Sequence, residues 1–589
     1  MTKALRKSLA VGGLWLFGCG GTTPTPDPLT GDLDGIKGTK DTLTAVYAES
    51  IRHSPSLAVL AGDRTVDAEL DQLTADEFTK YYARMAKLAE KMKALDAKTF
   101  SAEEQLSYDM ALTTVNDAAA RKIAKTELWE ASNLNDAVDL ISYFPSAQTL
   151  TTQADVDAYV ARCQKIPTYL TQRLANLKAG ADQGLTSSKP VLEAMLGNVT
   201  SYYGLKAADG SPWGAPSFAD SVSMADKMKW TTQITTVVDQ TLVPAFAAFV
   251  AGVQKDVLPK ARTTFGYGAM GQNGKDFYQS QIAFHTGGTQ TADALHQLGL
   301  TRVAELEAKL KEQLMAVGIN EPTLVAGLEK AKALPESMPA NAADLKTFVD
   351  GFVEQLRADA WSKQVFGVAS PVKPTINYPD TSGTPFYVAG TSTITVPLKS
   401  ATLVSSPSVL AHEYTHYLQD LVTKSTMPVS KYQPLFGSYV LAEGAAHYAE
   451  TLALGSSLYT RPTARETALV KLNAYSDLML RAVRLVVDTG IHSKDWSRQQ
   501  ALDYLTSHVI MGADQAAFEI DRYASWPGQA LAYRVGMENI KAEHDRAATA
   551  IGAGFNEGAF NTMVLSLSGA TSRLLTQRTD AMIAGANKQ

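Results

Sequence analysis

Residues 406–419 have the sequence SPSVLAHEYTHYLQ, which contains the H-E-x-x-H motif of residues 412–416. We expect a helix here, with Ser406 as its N-cap and Pro407 at its first position. Side chains four residues apart lie on one helical face, so the imidazoles of His412 and His416 can reach one ion. Glu413 lies beside them, where a carboxylate can act as general base toward a metal-activated water.

A second predicted helix follows at residues 438–454 and ends at Gly455. It carries Glu443, 27 residues beyond His416, a spacing that suits a helix hairpin returning a carboxylate to the same ion. Two histidines and one glutamate leave a fourth tetrahedral position for water, which is typical of a catalytic zinc site. We therefore expect one Zn²⁺ ion bound by His412, His416 and Glu443. The alternative is a surface helix whose side chains are merely solvated.

Three neighbours of Glu443 on this helix bear on the same site. Gly444 predicts the close approach of another backbone, since glycine has no Cβ. His447 and Glu450 lie on the face of Glu443, where they could orient the imidazoles that bind the ion. Ordinary packing or solvent exposure is the alternative for each of them.

The composition of the whole chain sets the class of protein. With 589 residues, 45% of them apolar and 19% charged, it is typical of a soluble globular protein with a large core. The net charge is −6 and no basic stripe occurs, whereas binding to phosphates needs clustered Lys and Arg. We therefore expect no nucleic-acid partner; the sequence does not indicate an oligomeric state.

The N-terminus has the pattern of a bacterial lipoprotein signal. Residues 1–18 combine a basic start with a short apolar run at 9–17, too short to span a bilayer. The run Leu-Phe-Gly before Cys19 resembles a lipobox, so we expect lipidation of Cys19 and a Pro- and Thr-rich tether over 19–38. Gly20 favours the outer membrane, on its periplasmic or outer face, and a plain secretory signal is the alternative.

The remainder, residues 39–589, is predicted to be mainly α-helical. Apolar residues recur at helical spacing, for example over 303–317, where Gly318 marks the end of a helix. We divide this body into an N-terminal helical part, 39–370, and a zinc-site part, 371–589. Cys163 is expected to be a small buried apolar residue rather than a catalytic thiol.

Residues 373–398 interrupt the helical pattern. Residues 386–388 and 393–396 are typical of two short strands around a turn, immediately before the motif helix. An exposed strand edge there could bind an extended peptide by strand addition. A small structural hairpin is the alternative, and the pattern does not decide between them.

The chain resembles the DUF885 family of bacterial proteins over nearly all of its length after the N-terminal segment. The resemblance is carried by residues 412–419, 443–450, 481–492, 522–523 and 527–533, and more weakly by 284–286 and 295–300. It implies a large, multi-helix, gluzincin-like body and a zinc peptidase activity. Family members often have a longer, Pro-Gly-containing stretch between the first His-Glu and the next His, and a Trp where Ala445 stands.

Similarity to gluzincins also implies that a histidine and a tyrosine from later helices face the metal. His492, on a helix expected to end near Gly490, and Tyr533, after a Pro-Gly turn, are the candidates. Either side chain could donate a hydrogen bond to the oxyanion that develops during hydrolysis. A core position with a satisfied hydroxyl is the alternative for the tyrosine.

Arg484, Arg522 and Tyr523 are candidate substrate-binding residues. A guanidinium can bind a carboxylate through two hydrogen bonds, which would imply carboxypeptidase action. An internal salt bridge, for instance to Asp488 or Asp521, is equally compatible with the sequence.

These observations together predict zinc-dependent hydrolysis of peptide bonds at the cell envelope, by an oligopeptidase or a carboxypeptidase. The rival hypothesis is a lipid-anchored binding or structural protein that keeps the scaffold without turnover.

Overall fold

A computed structural model describes residues 33–132, 141, 145, 148–358, 360–370, 372–388, 390–424, 428–430 and 432–586. The predicted signal segment 1–18, Cys19 and the tether as far as residue 32 lie outside the described residues.

Helices dominate the fold, as the periodicity of the sequence predicts. In chain order they are α1 Thr39–His53, α2 Pro55–Leu60, α3 Ala75–Lys93, α4 Ala102–Ala124, α5 Gln153–Asp182, α6 Lys189–Asn198, α7 Met224–Val237, α8 Val243–Gly252, α9 Gln272–Thr286, α10 Ala292–Ala316, α11 Leu324–Lys332, α12 Ala342–Arg357, α13 Ser406–Thr423, α14 Val440–Leu454, α15 Ala464–Ser493, α16 Arg498–His508, α17 Ala513–Ser525, α18 Ala532–Ile551, α19 Glu557–Leu565 and α20 Ser572–Ala586.

Five short strands form two small sheets in the described part of the chain. β1 (Thr149–Leu150) pairs in parallel with β2 (Ser217–Phe218). The second sheet has the order β3-β5-β4, from β3 (Thr375–Asn377), β4 (Phe386–Val388) and β5 (Thr393–Thr395). The antiparallel pair β4–β5 is the predicted hairpin, whereas β3, parallel to β5, was not predicted. β4 is thus an outer strand, and it packs on α13.

Two large hydrophobic clusters make up most of the core. One includes Tyr159 and Val486, the other includes Val46 and Leu410, so each draws on residues before and after position 370. The two predicted parts of the body therefore share their cores. Cys163 is buried in the first cluster, and burial raises the pKa of its thiol to about 12, which agrees with the predicted packing role.

One stretch of the described residues, Met224–Lys260, is long and apolar enough to span a membrane by length and composition. It joins α7 and α8 through π-helical turns at Val238–Leu242 and Val253–Val257. Trp230, Ile234 and Phe246 on its inner face are buried in the first cluster, and it packs along α5. A third of its most apolar window is buried in this way.

Two predicted helix boundaries are corrected by the structure. Ser406 is already the first residue of α13, and its hydroxyl bonds to the carbonyl of Thr402; Ser405 occupies the N-cap position. α15 does not end near Gly490 but continues to Ser493. Gly490 is small for another reason, because a Cβ there would lie 2.6 Å from the indole of Trp496.

The helix pair α14 and α18 crosses at two glycines. A Cβ on Gly444 would lie 2.6 Å from the Cα of Gly536, so the backbones touch with no space for a side chain. This contact is the close approach that the sequence predicts at Gly444. Glu443 precedes Gly444 on α14, and Tyr533 lies three residues before Gly536 on α18. The crossing thus holds these two residues near each other, and the charge of Glu443 raises the pKa of Tyr533.

We expect Gly444→Ala to lower the free energy of unfolding by about 1–3 kcal/mol, because the added methyl group overpacks the crossing. Gly351 of α12 is the matched control: a Cβ there meets nothing within 4 Å, so Gly351→Ala should be neutral or stabilising by up to about 1 kcal/mol. Denaturant unfolding of both variants measures the difference. Equal stabilities of the two variants would contradict the close contact.

Candidate metal centre

Three potential ligands converge between α13 and α14. The side chains of His412, His416 and Glu443 are all buried, and each offers a ligand atom within 4.8 Å of the others. The Nε2 atoms of His412 and His416 lie 3.3 and 3.7 Å from Oε2 of Glu443. A tetrahedral ion with bonds of about 2.0–2.1 Å separates its ligand atoms by roughly 3.4 Å, so this donor set fits zinc.

Each imidazole is oriented by a side chain behind it. Nδ1 of His412 is 2.7 Å from Oε1 of Glu450, and Nδ1 of His416 is 2.8 Å from Oε1 of Gln419. Because these acceptors hold the proton on Nδ1, both Nε2 atoms are left to bind an ion. Glu450 therefore lies where the sequence predicts. Gln419 was not predicted, although its position three residues after His416 places it on the same helical face.

The Gln419 amide also ties the two helices together, since its Nε2 donates to the carbonyl of Ala442 at 3.0 Å. Glu450 is in turn 3.5 Å from the guanidinium of Arg481. Burial would raise the pKa of Glu450, but the charge of Arg481 and the hydrogen bond with His412 outweigh it and hold the pKa well below its usual range. The carboxylate that orients His412 therefore stays ionised.

His447 lies next to Glu450 rather than next to the ligands. Its ring is fully buried, with Nδ1 at 3.4 Å from Oε2 of Glu450. Burial lowers the pKa of His447 to about 4, so it is neutral near pH 7. Any effect of His447 on the ligands must pass through Glu450.

Glu413 connects the helix to the small sheet. Its Oε2 accepts a hydrogen bond from the backbone N–H of Tyr387 in β4, at 2.7 Å. The strand is held in place by Asp420, which accepts from the hydroxyl of Tyr387 and the N–H of Gly390, both at 2.6 Å. Burial raises the pKa of Glu413, although the two histidines oppose the rise. The strand-edge donor at Tyr387 is thus already occupied by Glu413.

The candidate ligands line one cavity of about 470 Å³. Its volume is within the usual range for pockets that bind small ligands. β4 and Glu413 line it together with residues of α15, α17 and the start of α18, among them Arg484, Glu519, Arg522 and Tyr533. We refer to it as the metal-site pocket.

Tyr533 is the predicted oxyanion donor that the structure brings to this pocket. Burial and the charge of Glu443 raise the pKa of its hydroxyl, so the hydroxyl keeps its proton. Its ring lies under the guanidinium of Arg484, with 4.8 Å between Cζ and the ring centroid.

His492, the other predicted donor, does not line the metal-site pocket. Its side chain is fully buried, and Nδ1 accepts the N–H of Tyr267 while Nε2 bonds to the carbonyl of Tyr523 at 2.9 Å. Both ring nitrogens are therefore engaged by the backbone, and the role of His492 here is to join three segments.

The predicted substrate-binding residues form one cluster around Glu519, a residue that no sequence pattern indicates. Arg484 donates to Glu519 at 3.3 Å, and Arg522 donates to it at 3.1 Å. The hydroxyl of Tyr523 donates to Glu519 at 2.5 Å and accepts from Nε of Arg484. Tyr523 thus supports Arg484 and does not line the pocket, whereas both arginines do.

The salt bridges considered from the sequence are not formed. Asp521 pairs with Arg498 at 2.7 Å, and Asp488 accepts from the hydroxyl of Tyr278 and the N–H of Gly528. Glu519 takes their place as partner of the arginines, since it lies one helical turn before Arg522 on α17.

Two solved structures share this fold. A "putative lipoprotein" from Colwellia psychrerythraea has 19% identity and a TM-score of 0.78, covering 93% of this chain and all of its own. A second, from Shewanella oneidensis and of unknown function by its description, has 16% identity and a TM-score of 0.69, covering 92% of this chain and 99% of its own. At these identities the likeness concerns the fold alone.

None of the curated proteins matches this sequence. The family model described as "Bacterial protein of unknown function (DUF885)" matches residues 55–578, which run from the start of α2 into α20 and include the residues of the metal-site pocket. The chain therefore belongs to the DUF885 family.

Proposed function

We propose that this protein is a zinc-dependent peptidase that hydrolyses peptide bonds in the metal-site pocket. The observation that supports the proposal most strongly is the convergence of His412, His416 and Glu443 beside Glu413 in one cavity. Three ligands with an open fourth position are the arrangement of catalytic rather than structural zinc. When bound there, zinc would polarise a substrate carbonyl and activate a water.

Glu413 is the general base of this proposal. The N–H of Tyr387 fixes Oε2, which leaves Oε1 to take a proton from the attacking water and to pass it to the leaving amine.

Tyr533 is the proposed oxyanion donor. It lines the pocket and keeps its hydroxyl proton, whereas both ring nitrogens of His492 are engaged elsewhere. The outer strand β4 lines the same pocket through residues 386–388, so an extended substrate would lie along it. Since Glu413 uses the N–H of Tyr387, that N–H does not take part in strand addition.

The proposed setting is the cell envelope, with a lipid anchor at Cys19. Two relatives in fold whose descriptions say "putative lipoprotein" support this setting. Loss of labelled lipid in a Cys19→Ser variant would test it; incorporation unchanged by that substitution would refute the anchor. The competing proposal, a lipid-anchored protein without turnover, shares the anchor and differs in predicting no hydrolysis.

We expect Glu413→Gln to retain bound zinc and to lose about 10²–10⁴-fold in kcat, because the amide keeps the shape but cannot accept the proton. Mass spectrometry of a digested peptide mixture measures turnover, and elemental analysis measures zinc. Glu305→Gln, at a carboxylate that pairs with Arg302 on α10, is the matched control and should leave both quantities unchanged. Full activity of Glu413→Gln would refute the mechanism.

We expect Tyr533→Phe to lower kcat by about 10²-fold while KM changes little, since the lost hydrogen bond forms mainly in the transition state. Steady-state kinetics on one peptide found in that digest gives both constants. Tyr504→Phe on α16, whose ring packs against His508, serves as the control. Unchanged kcat in Tyr533→Phe would remove this tyrosine from the mechanism.

A further inference from the structure

Arg484 and Arg522 are both nearly buried, and both line the metal-site pocket. Each side chain is 9% exposed. Burial removes water from a guanidinium, and this costs several kcal/mol unless ion pairs and hydrogen bonds replace the water. If the protein does not supply enough acceptors and negative charge, the guanidinium groups can still bind an anionic ligand.

The charges of this cluster do not balance within the described residues. Glu519 is the single carboxylate there in ion-pair contact with either arginine. Burial would raise the pKa of Glu519, but Arg522 and Arg484 outweigh it and lower the pKa to about 2. Within ion-pair distance, two positive charges thus meet one negative charge. Asp488 also interacts electrostatically with Arg522, but it is fully buried and accepts hydrogen bonds from Tyr278 and Gly528. The nearby acid Asp521 is taken by Arg498.

The two guanidinium groups also have more N–H donors than the acceptors around them can bind. Arg484 donates from Nε to Tyr523 and from Nη2 to Glu519; Arg522 donates from Nη1 to Glu519 and from Nη2 to Gln529. In the part of the chain that the structure describes, Nη1 of Arg484 and Nε of Arg522 have no acceptor, and neither atom is sealed from solvent. Two residues that line the pocket thus carry unused N–H donors as well as excess positive charge.

The cluster is rigid as well as positive. Tyr523 and Glu519 hold Arg484 from one side, and the ring of Tyr533 packs on its guanidinium from the other. Gln529 fixes Arg522 at 2.7 Å. A preorganised guanidinium loses little entropy when it binds a ligand, and its planar fork matches a carboxylate.

We propose that Arg484 and Arg522 form a subsite for a carboxylate of the substrate, in the same pocket as the metal ligands. This inference rests on the proposed peptidase function and narrows its substrate class to peptides that present a free carboxylate close to the cleaved bond. The carboxylate can come from the C-terminus of a short peptide, which would make the enzyme a carboxypeptidase, or from an acidic side chain.

The test compares matched peptides on the wild-type protein. The first pair is N-acetyl tetra-alanine with a free C-terminus and its C-terminal amide. The second pair is amidated and carries either Asp or Asn next to the C-terminal residue. We expect the acid to exceed its neutral partner roughly 10- to 100-fold in kcat/KM in one pair, the worth of a charge-assisted hydrogen bond.

Preference for the free C-terminus supports the subsite and shows that the bound carboxylate is the peptide C-terminus. Preference for Asp supports the subsite and shows that the bound carboxylate belongs to a side chain. Equal rates within both pairs would overturn it. Calorimetry then measures binding of the same peptides to zinc-loaded Glu413→Gln, which separates the subsite from the proposed hydrolysis. If the acidic peptides bind more tightly but the wild-type protein cleaves none of them, the subsite is supported and the hydrolysis is refuted.

Arg484→Lys assigns the effect to the cluster. Lysine keeps the charge opposite Glu519 but loses the free Nη1 donor, so the acid preference should fall at least tenfold. Arg498→Lys, at the neighbouring pair with Asp521, should retain the preference. A preference that persists in Arg484→Lys would overturn the assignment, and the wild-type comparison stands even if this variant folds poorly.

Discussion

Burial of four ionisable side chains at one point between α13 and α14 is the main physical constraint on this molecule. His412, Glu413, His416 and Glu443 are each at most 9% exposed. Unpaired, such groups would destabilise the fold by several kcal/mol each. Burial would raise the pKa of Glu443, but the two imidazoles 3.3 and 3.7 Å away lower it below its usual range. A divalent cation at this point would balance the charges of the two carboxylates, which supports the proposal of a metal centre.

The surrounding elements hold that arrangement in place. The glycine contact brings α14, with Glu443, close against α18. Gln419 links α13 to α14 and also orients His416. On the other side, the N–H of Tyr387 fixes Glu413. α15 and α17 bring two arginines to the same pocket, so a metal ion and a carboxylate subsite would contact one short segment of substrate.

Local spacing predicted much of this site, and long-range packing accounts for what it missed. The H-E-x-x-H spacing places two imidazoles on one face, and the sequence distance to Glu443 suits a hairpin; both follow from helix geometry alone. The partner of Arg484 was missed because Glu519 lies 35 residues away on another helix. Periodicity predicts which face of a helix is buried, but not which other helix packs against that face. β3 was also missed, because it pairs in parallel with β5 and no hairpin turn precedes its partner. Gly490 was expected to end a helix, but it is a glycine because the indole of Trp496 packs against it.

X-ray absorption at the zinc edge of the purified protein tests the central claim most directly. The account predicts about one zinc per chain, with two imidazole nitrogens and carboxylate or water oxygens at about 2.0–2.1 Å, and loss of this signature in a His412→Ala, His416→Ala double variant. Protein without zinc after metal-replete preparation, or zinc whose spectrum is unchanged in the double variant, would contradict it.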